Sequence, residues 1–144
     1  MLVREGMTRI VVTVGPNHTL REAARRMTAR NVGAAVVMDN EHPGPGIVTE
    51  RDLLRSVGRG ENIDEELVRD HYASQLTYAF VDWPLEKAAV EMVRGAYRHV
   101  IVLDGGEAVG ILSMRDIVRC WTGEGARCDV PSPLEPQSAA PARG

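Results

Sequence analysis

The 144-residue chain contains little cysteine, a single lysine and few aromatic residues, and it has no long hydrophobic run. Its two cysteines, Cys120 and Cys128, are too few for a disulfide scaffold and do not have metal-ligand spacing. Every apolar run is much shorter than the roughly 18 residues that a membrane span needs, and charged residues follow Met1 where a signal peptide would be apolar. We therefore expect a cytoplasmic protein with no membrane partner.

The chain also lacks the positive charge that holds nucleic acid, because its formal net charge at pH 7 is -3. The four histidines show no paired metal-binding spacing, no serine lies in a nucleophile elbow, and neither cysteine has a partnered general base nearby in the sequence. We place His18 and His42 in turns and His71 in a linker, all exposed to solvent. These absences predict a non-enzyme with no metal, no catalytic cofactor and no nucleic-acid partner.

The main positive feature of the sequence is an internal repeat. Leu20–Met27 matches Leu85–Met92 at an offset of 65 residues, and Gly46–Arg55 matches Gly110–Arg119 at an offset of 64. One loop that is a single residue shorter in the second half accounts for the change of offset. Divergence after duplication of one unit would leave this pattern.

Each half predicts the same order of secondary structure. A β-branched run and a turn precede an amphipathic helix, two short strands joined by a hairpin follow, and a second helix closes the unit. In the first half these elements are 10–14, 20–27, 34–38, 46–48 and 50–57; in the second they are 76–81, 85–92, 100–103, 109–112 and 114–121. The predicted fold is of the α/β (α+β) class and consists of two β-α-β-β-α units. Four residues of the first helices are predicted core: Leu20, Met27, Leu85 and Met92.

The domain boundaries follow from changes in composition along the chain. We predict a first repeat over 7–60, a linker over 61–72 and a second repeat over 73–122. The linker stretch Asn62–Asp70 reads as a short capped helix. Residues 123–144 are rich in proline and small polar residues, a composition typical of a disordered tail.

The strongest chemical signal occurs once in each half, where a strand meets the following helix. A hydroxyl residue, Thr49 or Ser113, precedes an aspartate, Asp52 or Asp116, by three positions. The hydroxyl stands at a helix N-terminus, where free N–H groups and the helix dipole favour a phosphate, and the aspartate can accept hydrogen bonds from a ribose diol. The same spacing also suits a capping box, in which both side chains only satisfy N–H groups of the helix start.

The spaced pair of motifs, Gly46–Asp52 and Gly110–Asp116, resembles a tandem pair of cystathionine-β-synthase (CBS) domains, a Bateman module, here expected to stand alone. The resemblance implies two units packed sheet to sheet about a pseudo-twofold axis, with two clefts between them. It also implies an adenosine-containing ligand: foremost AMP or ATP, with ADP, S-adenosylmethionine and NAD(H) as further possibilities.

The resemblance further implies which residues line each cleft, since each cleft takes its ribose-binding aspartate from one repeat and its adenine contacts from the other. One cleft would combine Ile111, Ser113 and Asp116 with Val12, Val32 and Gly33. The other would combine Ile47, Thr49 and Asp52 with Thr77, Tyr97 and Arg98, next to His99.

The two clefts are expected to be unequal. Arg98 and His99 stand where related modules place a basic pair facing phosphates, whereas the first repeat has Gly33 and Ala34 at those positions. We therefore expect the cleft with Asp52 to prefer phosphorylated ligands. Tyr97 either stacks on the base or fills the cleft.

The sequence thus predicts a non-catalytic regulatory module that binds an adenosine-containing ligand and signals to an unknown regulated protein by a conformational shift. The alternative is a ligand-free interaction scaffold with the same fold. Apolar residues on the second helix of each unit predict a homodimer; the residues expected to be exposed there are Leu53, Leu54, Ile117, Val118 and Trp121.

Overall fold

The computed structural model describes residues 1–9, 12–41, 44–72 and 78–123. Within these ranges no helix has both the length and the apolar character needed to cross a membrane. Thr77, His42, Cys128 and the tail over 124–144 lie outside the described residues, so the predictions for them are not addressed by the structure.

The described residues form two successive β-α-β-β-α units, as predicted. The first contains β2 (Thr13–Val14), α2 (Leu20–Ala29), β3 (Ala34–Val37), β4 (Gly46–Thr49) and α3 (Glu50–Gly58). The second contains β5 (Ala79–Phe80), α4 (Leu85–Gly95), β6 (His99–Asp104), β7 (Glu107–Ser113) and α5 (Met114–Gly123). A short helix, α1 (Val3–Gly6), and a short strand, β1 (Thr8–Arg9), precede them, and a 3-10 turn (Val68–Asp70) lies between them.

The two sheets repeat one pairing scheme. In each unit the first strand pairs in parallel with the second, and the second pairs with the third as an antiparallel hairpin. The first sheet has the order β2-β3-β4, and the second has the order β1-β7-β6-β5 because β1 adds to its edge. Gly110 allows this pairing, since a Cβ there would lie 2.8 Å from the carbonyl oxygen of Thr8.

Residues at the helix termini explain where the helices begin and end. Thr19 is the N-cap of α2, and its hydroxyl accepts a hydrogen bond from the N–H of Glu22 at 3.1 Å. Pro84 takes the equivalent position before α4. At the C-terminal ends, Asn31 and Ala96 occupy equivalent positions with left-handed φ angles of 54° and 56°.

The segment before each repeat packs on the other repeat. The N–H of Leu85 donates to the carbonyl of Met1 at 2.9 Å, and the N–H of Leu20 donates to the carbonyl of Glu66 at 2.9 Å. The same symmetry relates Val3, whose N–H donates to Trp83, and Val68, whose N–H donates to His18. The duplicated unit therefore begins earlier than the motifs indicate, and each repeat helps to close the other.

This exchange of segments accounts for one element that the local pattern does not indicate, α1, and corrects one prediction. The helix expected over Asn62–Asp70 is instead a turn followed by the 3-10 turn Val68–Asp70. The N–H groups of Val68 and Arg69 donate to carbonyls of the first repeat, so they are not available for a longer helix.

The buried side chains form one cluster within each repeat and a third between the sheets. Leu20, Met27, Leu85 and Met92 are buried, as predicted. The third cluster is built on Ala34, Ile47 and Ile101, with side chains of the second repeat packed around it. This cluster joins the two sheets and so fixes the clefts on either side of it.

The prediction of an exposed apolar face on the second helices is correct only in part. Leu54 and Val118 are 70% and 56% exposed. Ile117, however, is buried, and Leu53 and Trp121 pack partly against the cores. The inward face of α5 consists of Asp116, Ile117 and Cys120, because residues three and four positions apart share one side of a helix.

Candidate ligand-binding clefts

Two clefts open between the repeats, and each brings together residues of both. The cleft named here the Asp116 cleft has a volume of about 530 Å³, and the Asp52 cleft has a volume of about 340 Å³. The Asp116 cleft is lined by all six residues expected there: Ile111, Ser113, Asp116, Val12, Val32 and Gly33. The Asp52 cleft is lined by the expected Ile47, Thr49, Asp52, Tyr97 and Arg98. His99 lines both clefts.

Asp52 forms a capping box with Thr49 at the start of α3. Its Oδ2 accepts from the backbone N–H of Thr49 at 2.8 Å and from the hydroxyl of Thr49 at 3.1 Å. The N–H of Asp52 is 3.4 Å from the Thr49 hydroxyl oxygen. The capping interpretation of the motif is therefore correct. It does not exclude a ligand, because these bonds use one carboxylate oxygen.

Asp116 forms the same cap but has two further partners. Its Oδ2 accepts from the N–H of Ser113 at 2.8 Å. Its Oδ1 accepts from the hydroxyl of Thr8 at 3.2 Å and pairs with the guanidinium of Arg119 at 3.0 Å. Asp116 is only 5% exposed. A ribose in this cleft would have to compete with Thr8 and Arg119 for Oδ1.

Sequence reasoning missed Thr8 and Arg119 as neighbours of Asp116. Thr8 reaches the cleft because β1 pairs with β7, which places Thr8 opposite Ile111. No local pattern reports a pairing between strands so far apart in sequence. Arg119 could have been found, since it follows Asp116 by one helical turn.

Three residues at the junction of the repeats line both clefts: Glu50, Arg98 and His99. The equivalence of the repeats is visible in the backbone, since the N–H of Glu50 donates to Gly33 and the N–H of Met114 donates to Arg98, both at 2.9 Å. Burial lowers the pKa of His99, while the nearby carboxylates of Glu50 and Asp116 oppose this effect. The sequence did not single out Glu50.

Tyr97 packs against the core of the second repeat while lining the Asp52 cleft. Its ring lies directly over Gly95, where a Cβ would be 2.1 Å from the ring. The ring therefore forms part of the cleft wall.

Comparison with known proteins agrees with this geometry. The family model of the CBS domain matches residues 3–59 and 68–123. The chain belongs to the CBS-domain family. The first match includes Val3–Gly6 and the second includes Val68–Asp70, which are the two segments that pack on the opposite repeat.

Relatives of this CBS pair include both curated sequences and solved structures. An uncharacterized protein of Methanopyrus kandleri is 34% identical over 81% of the chain, which spans 61% of that protein's length. A CBS domain protein of Pyrobaculum aerophilum, solved in complex with AMP, is 32% identical with a TM-score of 0.72 over 81% of this chain and 89% of that one. A hexameric CBS-CP12 protein from bloom-forming cyanobacteria is 25% identical with a TM-score of 0.77 over 82% of this chain and 69% of that one.

Outside the clefts of the CBS pair, the linker carries a polar cluster that the sequence analysis did not foresee. A carboxylate oxygen of Glu61, a carboxylate oxygen of Glu66 and a ring nitrogen of His71, the atom types that coordinate metals, lie within 4.8 Å of one another. The prediction of a solvated His71 is wrong, because its side chain is 6% exposed and its Nε2 lies 2.8 Å from Glu66. The hydroxyl of Ser56 and the guanidinium of Arg59 both bond Glu61 and lower its pKa. Arg59 thus supplies the positive charge here, and the cluster fastens the linker to α3.

Proposed function

We propose that this CBS pair is a non-catalytic regulatory module that binds an adenosine-containing ligand in the clefts between its repeats. The observation that carries the proposal is the pair of clefts, each lined by an aspartate at a helix start of one repeat and by apolar residues of the other. The Pyrobaculum relative in complex with AMP supports this class of ligand. AMP or ATP is the foremost candidate; S-adenosylmethionine and NAD(H) are further ones.

The proposed binding mode follows from the chemistry of each cleft. The carboxylate of Asp52 or Asp116 would accept hydrogen bonds from the ribose hydroxyls. The hydroxyl and N–H groups at the helix start, together with Arg98, would face the phosphate. Ile47 or Ile111 would contact the adenine from the sheet.

The Asp52 cleft is the one we propose to bind a phosphorylated ligand first. The hydrogen bonds that the Asp52 carboxylate accepts among the described residues all use Oδ2. In the Asp116 cleft, by contrast, Thr8 and Arg119 already bond the second oxygen, Oδ1. A ligand there must replace these contacts, which offsets part of its binding energy.

Ligand binding would reach a partner protein through the geometry of the two repeats. A ligand that contacts both repeats favours the arrangement in which its contacts are best and shifts the population toward it. The partner would be a regulated protein in the cytoplasm that distinguishes these arrangements.

Thermal unfolding with and without ligand tests the proposed function. We expect one or more of AMP, ADP, ATP, S-adenosylmethionine and NADH to raise the Tm by several degrees, because a ligand at about 100 times its Kd adds about 2.7 kcal/mol. Asp52→Ala or Asp116→Ala should abolish the shift and thereby assign the cleft.

The ligand-free scaffold makes the opposite prediction for the same measurements. Both variants remove a helix cap and should lower the Tm of the protein alone under either hypothesis, but if the aspartates only cap helices, no ligand should shift the Tm of the wild-type protein. No shift with any of the five ligands at about millimolar concentration would contradict the proposed function and favour the scaffold.

We further propose a homodimer through the exposed apolar side chains of α3 and α5. These side chains are at least 44% exposed and comprise Leu54, Val57, Met114 and Val118. Leu54 and Val118 are equivalent positions of the two repeats, so a second copy of the chain can present a matching face. The hexameric cyanobacterial relative indicates that this fold can assemble.

Size-exclusion chromatography with light scattering at micromolar concentration should give about twice the chain mass of 15.8 kDa. Val118→Asp, which places a charge on the proposed interface, should shift the mass toward that of one chain. Arg94→Asp on the exposed side of α4 serves as a control that should remain dimeric. A monomeric wild-type protein would contradict the proposal.

A further inference from the structure

The two clefts share a small set of charged residues. Glu50, Arg98 and His99 line both the Asp52 cleft and the Asp116 cleft. The repeats are unlike at these positions, because the equivalents of the three residues carry no charge; they are Met114, Gly33 and Ala34. One arginine and one glutamate therefore face two binding sites.

The other arginines at the clefts do not couple one site to the other. Arg51 and Arg55 line only the Asp52 cleft, and Arg115 and Arg119 line only the Asp116 cleft. These pairs occupy equivalent positions on α3 and α5, so each cleft has a similar set. Arg9 also lines the Asp116 cleft alone. Because none of the five is shared, a phosphate in one cleft does not take any of them away from the other cleft.

The backbone holds Glu50 at this junction. It is the first residue of α3, and its N–H bonds the carbonyl of Gly33 at 2.9 Å. Its carboxylate lies 3.1 Å from the position that a Cβ on Gly33 would occupy. The carboxylate thus packs against Gly33, which is the equivalent of Arg98 in the first repeat. A negative charge therefore occupies the space that a second basic side chain would need.

We propose that the two clefts bind anionic adenosine ligands with negative cooperativity, because they compete for Arg98 and both face Glu50. This inference rests on the proposed function. The phosphate that binds first pairs with Arg98. The second ligand is then repelled by that phosphate and by the carboxylate of Glu50. Arg98 no longer offsets this repulsion, because it is already paired, so the second ligand binds more weakly. Adenosine has no phosphate, so its two binding events are not coupled in this way.

Isothermal titration calorimetry of the full chain with AMP, and separately with adenosine, tests the coupling. The ratio of the two Kd values for adenosine reports the intrinsic difference between the clefts, and the ratio of the two Kd values for AMP should exceed it by about tenfold or more. Glu50→Gln removes the charge of the side chain but keeps its shape. It should lower the ratio of the second to the first Kd for AMP, called here the AMP gap, by about threefold or more. Glu107→Gln, at the far end of β7 from the clefts, is the matched control and should leave the gap unchanged.

The outcomes separate the coupling from the proposed function. Three results would overturn the coupling without contradicting nucleotide binding. They are two AMP sites of equal affinity, a ratio of AMP Kd values that is unchanged in Glu50→Gln, and an equal ratio of Kd values for adenosine. Binding of neither AMP nor adenosine to wild type or variant would overturn the proposed function and the coupling with it. A single AMP site in wild type that becomes two in Glu50→Gln is the strongest form of the expected result.

Discussion

Leu85→Ala should lower the free energy of unfolding by about 3 kcal/mol, the middle of the range for a buried leucine cut to alanine. Leu85 is fully buried in the core of the second repeat, where Val3 and Met92 also pack. The substitution leaves a cavity beneath α1 as well as beneath α4, since Leu85 lies 3.4 Å from the Cβ position of Gly6. The Tm should fall by about 10 °C for a chain of this size.

Leu54→Ala is the matched control for this measurement. Leu54 also lies in a helix, α3, but is 70% exposed. The same change of side chain should therefore alter the Tm of the protein by about 2 °C or less under conditions where it is monomeric. Equal losses in the two variants, measured by thermal or urea unfolding, would contradict the placement of Leu85 in the core.

Local patterns were sufficient for most of the fold. The spacing of Leu20, Ala23 and Met27 predicts a helix because neighbouring turns determine it, and the hydroxyl of Thr19 caps that helix through an N–H three residues away. The strands follow from short β-branched runs in the same way. The internal repeat strengthened each of these predictions, since the same element had to fit two different stretches of sequence.

Features that depend on distant contacts were not predictable in this way. The helix α1 exists because Val3 bonds Trp83 and packs in the second core, a contact that no window of sequence contains. His71 looks like a linker histidine until the chain folds it against Glu66. The helix periodicity alone places Ile117 on the exposed face and does not show that it joins the buried cluster that contains Val3.

The candidate site likewise combines features that local patterns predict with features that depend on distant contacts. The motif pair placed Thr49 with Asp52 and Ser113 with Asp116, because each pair is one helical turn apart. It did not indicate that Thr8 and Arg119 would occupy one oxygen of Asp116, or that Glu50 would line both clefts. These groups come together only through the strand pairing and the pseudo-twofold packing. Thr8 and Arg119 are also the groups that make the aspartates of the two clefts unequal.

Arg98→Ala should weaken the binding of AMP by about 10- to 100-fold, because a hydrogen bond to a charged group contributes about 1.5–3 kcal/mol. Arg98 lines both clefts and lies at their junction, where a phosphate can meet its guanidinium. The affinity for adenosine should change by about twofold or less, since Arg98 contacts the phosphate in the proposed mode. Titration calorimetry with both ligands measures the two effects separately.

Arg94→Ala provides the control for charge. Arg94 lies four residues before Arg98 in the sequence. Its side chain is 73% exposed and pairs with Glu91 on the surface of α4. Its removal changes the net charge by the same amount, so any general electrostatic attraction of AMP is lost equally in both variants. A loss of AMP affinity confined to Arg98→Ala therefore assigns the phosphate to the junction of the clefts. Equal losses of AMP and adenosine in Arg98→Ala would indicate a change in cleft shape, and no loss of AMP affinity would place the phosphate elsewhere.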